Sequence, residues 1–163
     1  MTEATTLKMH MPSNDLKPKV PAQGGPSLDK IIDKAETALS ELEDGYKDTV
    51  HGEIKTLVSL LNEATTSDPA DSAKIQRIQE ICHDIKGQAA TFNFNLLSDI
   101  AGSLSVMIQK HENIACQRTD VVRAHINALL VVVEQNIKGT GGSMGEELTG
   151  GLRKAVEKVT ETA

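Results

Sequence analysis

The chain has 163 residues, with two phenylalanines, one tyrosine and no tryptophan, so any core must be aliphatic. Its net charge is −6 and its lysines are scattered, without the basic stripe and interleaved aromatics that nucleic-acid binding calls for. No apolar run reaches transmembrane length and no charged-then-apolar signal opens the sequence, so the expectation is a cytoplasmic protein that engages no membrane.

Residues 1–26 carry Pro12, Pro18, Pro21, Pro26 and the pair Gly24-Gly25. Prolines this dense deny the backbone a helix and little apolar surface is on offer, so a disordered tail is predicted. Ser27 is placed to cap a first helix over 28–44, with Leu28, Ile32, Ala35, Leu39 and Leu42 on one face and Gly45 as its breaker. A second helix is predicted over 46–64, striped by Val50, Ile54, Leu57 and Leu61. Asp68-Pro69 reads as a helix start with Pro at the first helical position, opening a third helix over 69–92. Asn93 and Asn95 bracket a tight joint, since Asn tolerates a left-handed helix end and also caps helix starts.

A fourth helix is predicted over 96–111, with Leu97, Ile100, Leu104, Met107 and Ile108 inward. A fifth opens at Thr119 or Asp120 on the stripe Val122, Ile126, Leu129, Val133 and Ile137, and stops at Gly139. Residues 139–163 combine a glycine-rich segment with a short last helix over 146–160, weakened by Gly150-Gly151 because each interior Gly costs about 1 kcal/mol relative to Ala. Helices two to five have short joins. The expected fold is therefore all-α: an antiparallel up-down four-helix bundle over 46–138, with an additional N-terminal helix across one end or side, in a domain spanning 27–138.

The chemistry concentrates in the run Ile81-Cys82-His83-Asp84-Ile85-Lys86-Gly87-Gln88-Ala89-Ala90-Thr91-Phe92. At about 100° per residue, Ile78, Ile81, Ile85, Ala89 and Phe92 share the core face, and His83 points away from it. Gln76, Gln79, Glu80, Lys86, Gly87, Ala90 and Phe94 fall on the side of His83, a strip of mostly polar and small residues. A neutral imidazole carries a nucleophilic nitrogen, and a lysine one turn on can offset phosphoryl charge as a mobile point charge. Gly87 is a poor helix residue, and its place beside an exposed histidine is better explained by access for a partner than by stability. A lone surface histidine is usually only a surface residue; here the combination on one exposed face is the signal. Phe94 has two roles open to it, part of an apolar docking patch or a plug in the joint between helices.

These residues resemble the signature of histidine-containing phosphotransfer domains of two-component phosphorelays: His-x-x-Lys-Gly followed by small residues and a hydrophobic. The resemblance covers about residues 46–138. It implies phosphorylation of His83 at Nε2, phosphoryl stabilisation by Lys86 and receiver access over Gly87. It further implies docking on the strip of Gln76, Gln79, Glu80, Ala90 and Phe94. The partners implied are response-regulator receiver domains, that of a hybrid histidine kinase among the candidates. The implied role is a phosphocarrier without a kinase domain or cofactor of its own, the Mg²⁺ coming from the receiver. The family often has glycine ten positions after the histidine, where this chain has Asn93, and Asn is the next-best residue for that turn.

Three rivals stand beside this reading. A sensor-kinase dimerisation helix carries His-Glu/Asp-x-Arg/Lys-x-Pro, but Gln88 stands at the proline position, and no glycine-rich nucleotide box follows. A helical scaffold that binds receivers without relaying phosphate has no need of His83, Lys86 and Gly87 together. A metal site would draw on Cys82, His83, His111, Cys116 or His125, but adjacent Cys82 and His83 point about 100° apart on a helix, and His10 and His51 have no partners. No metal site is therefore expected. Cys82 and Cys116 lack CxxC spacing, and Cys82 is expected to pack as a small hydrophobe.

Overall fold

A computed structural model describes residues 25–161. The predicted tail over 1–26 lies almost wholly outside them, as does His10; Gly25, Pro26 and Ser27 are exposed and precede the first helix. The described residues are all-α: α1 (Leu28–Ala64), α2 (Ser72–Ala89), a 3-10 turn (Ala90–Phe92), α3 (Asn95–Lys110), α4 (Glu112–Gln117), α5 (Thr119–Glu134) and α6 (Gly142–Glu161), with no strand among them. No helix of the described residues is long and apolar enough to cross a membrane.

The described residues divide into two units between Leu39 and Ser40. In the first, Ser27 opens α1 as expected: its carbonyl accepts from the Ile31 N–H at 3.1 Å and its Oγ from the Lys30 N–H at 3.5 Å. The stripe of this helical segment does not pack as the sequence suggests. Leu28, Ile31, Ile32 and Leu39 are each 44% or more exposed.

The predicted break at Gly45 is absent, because α1 runs unbroken through it for 37 residues. One glycine costs a helix only about 1 kcal/mol, and the residues that follow recover more by burial. Tyr46, Val50, Ile54, Leu57, Leu61 and Ala64 all face the core of the second unit.

The start of α2 is also displaced. Asp68-Pro69 precedes the helix by a loop, and Asp71 is the cap: its Oδ1 accepts from the Ala73 N–H at 2.9 Å. The loop is held inward, with the Ala70 N–H donating to the Cys116 carbonyl at 3.1 Å and the Asp71 N–H to the Ala64 carbonyl at 3.0 Å. Of the expected inward stripe, Ile78, Ile81, Ile85 and Ala89 are buried on α2, joined there by Ile75 and Cys82, while Phe92 lies half-buried in the 3-10 turn. α2 packs on α3, α3 on α5, and α6 on both α3 and α5. The short α4, not anticipated from the sequence, touches α2, α3 and α5. α6 starts earlier than expected and keeps Gly150-Gly151 inside it, with Leu152 and Val159 buried.

The joint after α2 sets the end of the site. Asn93 is left-handed, at φ 59° and ψ 29°. The Phe94 N–H reaches back to the Ala89 carbonyl at 2.9 Å, closing the helix end. The Asn93 carbonyl accepts from the Gly139 N–H at 2.6 Å, and the Gly139 carbonyl accepts from the Leu96 N–H at 2.8 Å. The turn therefore forms with asparagine, and the chain beyond α5 ties it down.

Candidate functional site

His83 is exposed on α2, with its core-facing neighbours Ile81, Cys82 and Ile85 buried beneath it. Lys86 and Gly87 are exposed on the same helix, and Ala90 is exposed at the start of the 3-10 turn. A Cβ built on Gly87 meets nothing within 4 Å. No packing against the protein requires that glycine, and the surface beside His83 lies open there.

Lys86 is better fixed than an ordinary surface lysine. Its aliphatic stem lies over Gly102 of α3, where an added Cβ would stand 3.1 Å from Lys86 Cδ. Its carbonyl accepts a hydrogen bond from Ser98 Oγ at 2.9 Å. The stem is thus supported by α3, while the ammonium belongs to no ion pair among the described residues.

The other members of the strip divide. Glu80 is exposed and pairs with Arg77. Gln79 is half-buried and donates from Nε2 to Ser105 Oγ on α3 at 3.1 Å. Gln76 is half-buried and donates to the Glu112 carboxylate at the start of α4. Both amides are engaged with neighbouring helices. Phe94 is 0% exposed and takes the plugging role. The Lys138 ammonium sits 3.9 Å from its ring centre, and the Tyr46 ring is 6.0 Å away. Tyr46 also stacks on half-buried Phe92 at 4.4 Å. Lys138 further bonds the Glu43 carboxylate at 3.0 Å. A fully buried ring offers no docking surface.

One neighbour was not anticipated. Glu53 of α1 lies half-buried close enough to Asp84 to feel its charge, and burial followed by that charge pushes its carboxyl above the ordinary range. Its Oε2 is buried without a hydrogen-bond partner. Glu53 also acts on Cys82, whose thiol is pushed up to about 12 by burial first and by this carboxylate second. Cys82 is therefore a neutral, buried thiol, in keeping with its expected packing role. The signal for Glu53 in the sequence was faint, an acid next to the core residue Ile54. Its partner Asp84 comes from a different helix.

The candidates for a metal site do not converge. Cys82 and Cys116 are buried and free. His125 is 0% exposed, bonded through Nδ1 to the Val121 carbonyl at 2.9 Å and through Nε2 to Ser103 Oγ at 3.2 Å. Among the described residues, no three His, Cys, Asp or Glu side chains group so as to hold an ion. The site thus consists of an exposed imidazole, a braced ammonium one turn away and unobstructed surface between them and the end of the helix. No protein-family model, no curated protein and no solved structure matches this chain.

Proposed function

We propose that this chain is a histidine phosphotransfer protein of a two-component phosphorelay. It takes a phosphoryl group onto His83 from the aspartyl phosphate of one receiver domain and passes it to another. The observation that carries this reading is the exposure of His83 beside Lys86 on one helix face, with open surface over Gly87 and only a methyl at Ala90. Residues 40–64 of α1 with α2, α3 and α5 then form the antiparallel up-down four-helix bundle that presents this face, a reading supported by the packing of α2 on α3 and of α3 on α5.

In the forward step His83 Nε2 attacks the phosphorus in line. An N–P bond forms, the O–P bond to the receiver's aspartate breaks, and the aspartate leaves as a carboxylate; the reverse step returns the group. Lys86 offsets the charge of the phosphoryl group while it rests on the imidazole. The receiver brings Mg²⁺, which neutralises phosphoryl charge during transfer. Glu80, paired with Arg77, and Ala90 are the exposed strip residues that would meet the receiver.

The test is transfer of label from phosphorylated receiver domains to the full chain, with His83→Gln in parallel. Acid-labile, alkali-stable label on the wild type alone supports the proposal. Receiver binding without label means a scaffold that does not relay, and label persisting on His83→Gln rejects the site.

A further inference from the structure

Beside α3 and α6 lies a cavity of about 460 Å³, within the size range of small-molecule sites. Lys86, Lys110 and Arg153 line it. None of the three forms an ion pair among the described residues. The carboxylates on the same lining, Asp99 and Glu157, are fewer than the cations, so the lining carries a net positive charge. Val106, Met107 and Val156 give it an apolar wall.

Two serines on the lining have their protons directed into the protein. The Val121 carbonyl can only accept, so His125 Nδ1 carries the ring proton. Burial pushes the imidazole below its ordinary value and keeps it neutral. Nε2 is then a bare acceptor, and Ser103 must donate to it at 3.2 Å. Ser98 likewise donates to the Lys86 carbonyl. Each serine therefore offers the cavity lone pairs, which suit a ligand bearing hydroxyl groups.

We propose that this cavity binds a small hydroxylated phosphate monoester. Lys110 and Arg153 meet the dianionic phosphate, the serine oxygens accept from ligand hydroxyls, and the apolar wall covers the carbon chain. This binding does not depend on any chemistry at His83.

The test is titration of the full isotope-labelled chain, followed by amide NMR shifts, with glycerol 3-phosphate as the probe and inorganic phosphate and malate as comparisons. The expected result is saturable shifts at Ser98, Gly102, Ser103 and Val106, tighter for glycerol 3-phosphate than for either comparison. Arg153→Gln and Lys110→Gln should each weaken binding about tenfold, with the rest of the spectrum unchanged. His83→Gln should bind as the wild type does. Equal binding of inorganic phosphate overturns the role of the hydroxyl groups, and equal or tighter binding of malate overturns the phosphate class. Absence of saturation, or wild-type affinity in both cation variants, overturns the site.

Discussion

The stem of Lys86 crosses from α2 to rest on Gly102 of α3, so close that a Cβ at Gly102 would stand 3.1 Å from Lys86 Cδ. Support and charge are therefore separable in this side chain. Lys86→Met keeps an apolar stem over Gly102 and removes the ammonium. Its unfolding free energy should stay within about 0.5 kcal/mol of wild type, while phosphotransfer to His83 slows about tenfold. Urea unfolding and label transfer measured on the same preparation check both halves; a loss of stability without a loss of transfer would make Lys86 a packing residue.

Asn93 holds φ 59° at the joint between α2 and α3. Glycine adopts that geometry freely and a β-branched residue does not. Asn93→Gly should change stability by less than about 1 kcal/mol, and Asn93→Val should cost about 1–2 kcal/mol. Denaturant midpoints of the two variants decide it, and equal midpoints would mean the turn does not hold its left-handed form.

Glu53 is a carboxyl whose folded value is raised, so its charged form opposes folding at neutral pH. Glu53→Gln should therefore raise the melting temperature at pH 7. The gain should vanish as the pH falls through the raised value, where the wild-type carboxyl is protonated. A gain that is constant with pH would assign the effect to packing instead of charge.

His125 carries the opposite linkage. Its folded value lies below the unfolded one, so the unfolded chain binds the extra proton first as pH falls. Its contribution to stability is full above the ordinary histidine value near 6.5 and is lost below it as pH falls toward the folded value. Wild type should lose stability more steeply than His125→Gln between about pH 6.5 and the folded value, with the effects of Glu53 and the other groups cancelling in the comparison. Parallel slopes would show that the imidazole is not held neutral.

What could be read from the sequence followed from periodicity. The stripes of α3 and α5 are regular enough that Leu97, Ile100, Leu104, Val122, Ile126 and Leu129 are all buried as expected, and the same spacing places His83 outward. The misreadings come from local signals that tertiary contacts outweigh. Gly45 looks like a stop, but the burial of Tyr46 and Val50 carries the helix through it. Asp68-Pro69 looks like a cap, but the loop is drawn in by the Cys116 and Ala64 carbonyls and the cap moves to Asp71. The six residues of α4 are too few to show a period. The meeting of Glu53 with Asp84, and of Ser103 with His125, joins residues from different helices, and no spacing along one chain segment encodes it.

All three aromatic rings of the sequence, Tyr46, Phe92 and Phe94, are gathered where the 3-10 turn meets α1, and the chain has no tryptophan. Tyrosine emission from this protein therefore has a single source, Tyr46, and that ring is buried against the joint that ends the His83 helix. The molecule carries its own optical probe of that joint, readable without any label, and a partner that disturbs the turn at Asn93 should change its intensity.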